Sequence, residues 1–139
     1  MDTKIEHIGV VVRDLDDSLK KFTHLLGLKV KEIEEKNLEG HNVRVAFLPI
    51  GAANIELVTT TSQTGLVGDF LREKGEGVHH IAVEVEDIYG EFERLRAQGV
   101  EFVWGKIING SRGTKVAVIE QKELNGVYIE LVQKHQCKT

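Results

Sequence analysis

The chain has 139 residues, a length that a single domain accounts for. Its composition, 41% apolar and 29% charged, is that of a globular protein, and a net charge of -4 without any basic cluster argues against nucleic-acid binding. No apolar run is long enough to span a membrane, and the single cysteine, Cys137, excludes a disulfide framework.

The start, MDTKIEHIGVVV, has no apolar signal region, so a cytoplasmic protein is expected. HIGVVV from His7 reads as a strand. Alternation puts Ile8, Val10 and Val12 on one face and His7, Gly9 and Val11 on the other. Leu15, Leu19, Phe22 and Leu26 then make a helical stripe, with Asp14 or Asp16 as N-cap and Gly27 at the C′ position. Extended segments follow, including VRVAFLPIG (residues 43–51) and IELV (residues 55–58). In IELV, Ile55 and Leu57 belong to the core face, so Glu56 points the other way. TGLVGDFLREKG carries Leu66, Val67, Phe70 and Leu71 at helical spacing and predicts a connecting helix that ends at Gly75.

The next strand lies in EGVHHIAVEVEDI (residues 76–88). His79, Ile81, Val83 and Val85 share one face; His80, Ala82 and Glu84 share the other. Ile88, Phe92 and Leu95 form a second helical stripe, capped by Asp87 and stopped by Gly99. GKIINGSRGTK (residues 105–115) reads as a lid or an anion-contacting loop, or else as a solvated hairpin. There Gly110 and Gly113 permit unusual backbone angles, and Arg112 suits a carboxylate or phosphate. TKVAVIEQ and a second IELV, residues 129–132, complete the chain's periodic segments.

This order contains itself twice. HIGVVVRDLDD recurs as HIAVEVEDIYG at an offset of 73, and IELV recurs at an offset of 74. The expected fold is α+β. Two tandem βαβββ modules form a curved mixed sheet around a cleft, with helices on the outside. The 139 residues are read as one domain, with module 1 over about 4–60, the connecting helix over about 61–75 and module 2 over about 76–134.

In both copies a His and a Glu project away from the helix-covered face: His7 with Glu56, and His80 with Glu130. Two imidazoles and two carboxylates without a thiolate suit an open, water-accessible divalent ion of the first transition row; cobalt, nickel, zinc and manganese all accept this set. A solvated outer sheet face is the other reading of the same pattern.

The duplicated plan with its H…E…H…E order resembles the vicinal oxygen chelate superfamily, which includes glyoxalase I. Within it, EHIGVVVRDLDDSLKKF, LLGLKV, VRVAFLPIGAANIELV, FLREKGEGVHHIAVEVEDI, GSRGTKVAV and GVYIELV are most like the methylmalonyl-CoA epimerase family. The resemblance implies that His7, Glu56, His80 and Glu130 hold a divalent metal ion. It also implies that Glu130 is an acid/base group, that Arg112 meets the substrate's carboxylate or a CoA phosphate, and that the protein is a homodimer acting on a CoA thioester. A lactoylglutathione lyase of the glyoxalase I type, or a non-enzymatic small-molecule binding module, would use the same fold. Three features depart from the epimerase pattern. Thr23 stands in FTHLLG where a tyrosine is usual, EQKELNG replaces a His-Pro-Lys turn, and neither Arg44 nor Val45 supplies the carboxylate that some epimerases carry on that strand.

Overall fold

The computed structural model describes residues 3–134, so Cys137 and His135 lie outside the described residues. The chain divides into two units. The N-terminal unit is His7–His79, and the C-terminal unit joins the residues up to Glu6 to those from His80 onward.

In the N-terminal unit the elements are β1 (Lys4–Val11, shared with the other unit at its start), α1 (Leu15–Leu26), β2 (Glu32–Leu38), β3 (His41–Ile50), β4 (Ala53–Thr60) and α2 (Gly65–Lys74). The strand order is β2-β3-β4-β1, with β1 parallel to β4 and the other pairs antiparallel. α1 forms as its sequence directs. The Asp14 side chain accepts a hydrogen bond from the Asp17 amide at 3.0 Å, and Gly27 closes the helix at a φ of 68°. A left-handed residue at that position costs glycine nothing, because it lacks a Cβ.

Each face of this sheet has its own cover. Val10, Ile55, Leu57, Ala46 and Leu48 pack under Leu15, Leu19 and Phe22 of α1. Leu26 is exposed, so the buried stripe ends at Phe22, and Leu28 beyond the Gly27 turn joins the cluster instead. On the opposite face, Val11, Val43, Val45, Phe47 and Val58 pack with Val67 and Leu71 of α2. The sequence identifies α2 as a connector; in the fold it is also the second cover of the sheet.

The C-terminal unit repeats the plan with β5 (Gly77–Glu84, entering from the other unit), α3 (Ile88–Ala97), β6 (Ile108–Asn109), β7 (Lys115–Ile119) and β8 (Tyr128–Gln133). Its order is β5-β8-β7-β6, with β5 parallel to β8. Asp87 caps α3 by accepting from the Gly90 amide at 3.1 Å. Val85, Ile129, Leu131, Ala117 and Ile119 pack under Ile88 and Phe92. The duplication extends to single hydrogen bonds: Val12 N–H donates to Val58 and Val85 N–H to Val132, each at 2.9 Å.

The EQKELNG segment makes its turn with different chemistry from the expected His-Pro-Lys. A 3-10 turn over Gln121–Leu124 is closed by Asn125 and Gly126 at positive φ. Glu123 accepts from the Glu101 amide at 2.7 Å, and Lys122 pairs with the Glu101 carboxylate at 2.9 Å. That hydrogen bond holds the Lys122 ammonium protonated above its usual range.

Candidate active site

The parallel strand pair in each unit brings one histidine to one glutamate. In the N-terminal unit Gly9 lies beside Glu56 and His7 beside Asn54. The histidine is thus the diagonal neighbour of the glutamate across the ladder, within reach of a long side chain. Gly9 leaves the space next to Glu56 clear, and His7 Nδ1 stands 2.9 Å from Glu56 Oε2. In the C-terminal unit Ala82 lies beside Glu130 and His80 beside Tyr128. There His80 Nε2 stands 3.3 Å from Glu130 Oε2. The small residue opposite the carboxylate is what the two registers share.

These are buried polar groups. Relative exposures are 6% for His7, 5% for Glu56 and 7% for His80, while Glu130 is half-buried. An imidazole and a carboxylate this close in a desolvated place share a proton or a cation, because either one ionised alone is costly. Nitrogen and oxygen donors without sulfur fit a borderline or hard divalent ion better than a closed structural zinc.

Histidine 79 takes a different place. It is buried, and its ring packs edge-on against Phe70 of α2 with centroids 4.9 Å apart. Adjacent histidines therefore have separate surroundings, as strand alternation requires.

Arg112 is held within the C-terminal unit by Glu6, whose side chain is buried, at 3.2 Å. Its own backbone is left-handed, at a φ of 55°, an uncommon state for a residue with a Cβ. Lys134 adds a second cation to Glu6 at 3.7 Å and bridges it to Glu84 at 3.2 Å. Gly113 has the positive φ expected of it; Gly110 does not, at -99°. Glycine is needed at 110 for space, since a Cβ there would collide with Val116 and Thr114.

Sequence reasoning passed over Glu6, Asn54 and Tyr128. Asn54 and Tyr128 stand two residues before the paired glutamates, so alternation alone puts them on the same faces. Nothing in the sequence singles out Glu6, because its partners Arg112 and Lys134 are remote in the chain. A hollow of about 410 Å3 in the N-terminal unit, bordered by Arg13, Asp14, Glu35, Arg44, Thr59 and Thr60, contains none of His7, Glu56, His80, Glu130 and Arg112.

Residues 6–118 match the family described as Glyoxalase/Bleomycin resistance protein/Dioxygenase superfamily. The chain belongs to that superfamily. Among its relatives within the superfamily is the ethylmalonyl-CoA/methylmalonyl-CoA epimerase of Cereibacter sphaeroides, 29% identical over 94% of this chain and 97% of that protein. A solved structure of a methylmalonyl-CoA epimerase in complex with methylmalonyl-CoA and NH4+ superposes with a TM-score of 0.89. The two are 31% identical and cover 99% of this chain and 98% of that one. A probable lactoylglutathione lyase of Vibrio cholerae is 32% identical over 96% of this chain and 93% of that protein. The α+β superfamily fold and the epimerase resemblance expected from the sequence both hold.

Proposed function

We propose that this protein is a metal-dependent epimerase that interconverts the (R) and (S) forms of methylmalonyl-CoA. The observation that carries the reading is the repeated His–Glu pair, built by the same register in both units of a chain whose relatives include epimerases acting on this substrate.

In the proposed site His7, Glu56, His80 and Glu130 hold one divalent ion, one of cobalt, zinc, nickel or manganese. A bound ion would supply Lewis-acid chemistry at the site. The reacting C–H lies between a thioester and a carboxylate, and the anion left by its proton delocalises onto the thioester oxygen. Glu130 exchanges that proton as an acid/base group, and its partial exposure leaves it open to substrate from one side. Glu56, buried against His7, serves as a ligand. Arg112, from the position Glu6 fixes, meets the substrate's carboxylate or a CoA phosphate, for which a planar guanidinium is suited. The protein is read as a cytoplasmic homodimer with a CoA thioester as its small-molecule substrate.

A lyase of the glyoxalase I type is the second reading, favoured by the Vibrio cholerae relative. That chemistry also moves a proton between carbons beside a polarised oxygen. One experiment separates the two. Enantiopure methylmalonyl-CoA in heavy water, with metal-reconstituted protein, is expected to racemise and take up deuterium at the α-carbon. Absence of exchange together with turnover of the methylglyoxal–glutathione hemithioacetal would establish the lyase instead.

A further inference from the structure

Glu6 carries a carboxylate and is only 2% exposed. Burying such a group without cations or donors around it is costly. Two cations meet it within the C-terminal unit, to which Glu6 itself belongs. Arg112 Nη2 stands 3.2 Å from Oε1 and 3.5 Å from Oε2, and Lys134 Nζ stands 3.7 Å from Oε2. Lys134 continues to Glu84 at 3.2 Å. Glu84 ends β5, the strand of His80, and Lys134 directly follows β8, the strand of Glu130. The guanidinium of Arg112 is thereby tied to the strand pair that carries the His80–Glu130 contact.

Arg112 is fixed through its backbone as well. In the turn that carries it, Gly110 N–H donates to the Thr114 carbonyl at 2.9 Å and Thr114 N–H to the Ser111 carbonyl at 3.2 Å. The Thr114 hydroxyl donates to the same Ser111 carbonyl at 2.8 Å. Arg112 itself holds a left-handed φ of 55°, which a residue with a Cβ keeps only where its surroundings impose it. A turn braced at these points presents one side chain in one place.

Stability does not account for the arrangement, because replacing a buried ion network by apolar residues is often neutral or stabilising. A buried carboxylate that keeps a long cation in one orientation has another effect. It removes in advance the freedom that cation would lose on meeting an anion. The Arg112 side chain keeps 23% of its surface open, so its fork can meet a second anionic oxygen while Glu6 holds it.

We infer that Glu6 is a positioning residue for substrate binding, acting through Arg112. This rests on the epimerase reading above, in which Arg112 meets an anionic oxygen of the CoA thioester. A carboxylate acting only as a charge predicts the opposite sign. As a plain charge, Glu6 weakens the pull of Arg112 and Lys134 on an anion, so its removal would tighten substrate binding. As a positioning residue, its removal lets the guanidinium turn away. Binding then weakens although the local charge becomes more positive.

The test is Glu6→Gln, which keeps the shape and removes the charge. In metal-loaded protein KM for methylmalonyl-CoA should rise roughly 10- to 100-fold, with kcat within a few-fold of wild type. In an Arg112→Ala background the same change should add almost nothing. Metal content should be unaffected, although His7 is the next residue. The weakening should vanish for the analogue that lacks the oxygen Arg112 meets. That analogue is propionyl-CoA, without the carboxylate, or methylmalonyl-pantetheine, without the nucleotide phosphates. In isotope-labelled protein the Arg112 Nε–H NMR signal, assigned by its loss in Arg112→Lys, should exchange with water faster after Glu6→Gln. Unchanged or tighter binding, an undiminished KM rise in the Arg112→Ala background, equal weakening for both analogues, or loss of metal would overturn the inference. Wild-type protein that racemises no methylmalonyl-CoA would instead remove the epimerase reading. The Arg112 signal would then decide by itself whether Glu6 fixes the guanidinium.

Discussion

His79 and His80 are neighbours in the chain and have different physical fates. His80 stands 3.3 Å from Glu130, while His79 packs on Phe70. In the proposed site His80→Ala removes a metal donor, and His79→Ala removes only packing. After dialysis against a limiting divalent metal, elemental analysis is expected to find the ion lost from His80→Ala and retained by His79→Ala. The latter should show a lower melting temperature. Loss of metal from both would mean that the ring of His79 supports the ligand directly. At this scale the sequence was informative because alternation is a local property, needing no knowledge of the fold. Glu6 was not legible, since its burial and its pairing with Arg112 arise from a contact between residues 106 apart in the chain.

Helix boundaries are also local, and the Asp14, Gly27, Asp87 and Gly99 punctuation holds in the fold. Asp14→Ala leaves the amide of Asp17 without its side-chain acceptor and should lower stability by about 1 kcal/mol in urea titration. Phe47→Ala should cost more, roughly 3–5 kcal/mol, because Phe47 is fully buried between the sheet and α2. Phe47 is also the register neighbour of Glu56, so the same variant should weaken metal binding measured by calorimetry. The role of α2 shows where element-level reading stops. Its helical spacing gives a stripe of Val67, Phe70 and Leu71, but spacing does not say which face of which sheet the stripe will cover. That is decided by where the chain leaves β4.

In the proposed site His7, Glu56, His80 and Glu130 would hold the ion, which binds the folded chain and not the unfolded one. Metal binding should then stabilise the whole chain by about 2.7 kcal/mol at a free concentration of 100 times Kd. A chelator should reverse the rise in melting temperature, and His7→Ala or Glu130→Gln should abolish it. Binding should also strengthen as pH rises, because an imidazole nitrogen binds a metal ion only without its proton. A melting temperature indifferent to metal and chelator in the wild-type chain would contradict the site.

The sequence by itself determined the duplicated βαβββ order, the helix limits and the sheet faces on which His7, Glu56, His80 and Glu130 stand. Each of these follows from a period of two or 3.6 residues, or from an internal repeat, and is written in adjacent residues. Only the tertiary structure decided that Gly9 and Ala82 lie beside the paired glutamates, that α2 covers the far end of the His7 face, and that Arg112 is bound to Glu6. Strand register and long-range ion pairing are set by how remote segments fit together, and local periodicity carries no information about that fit.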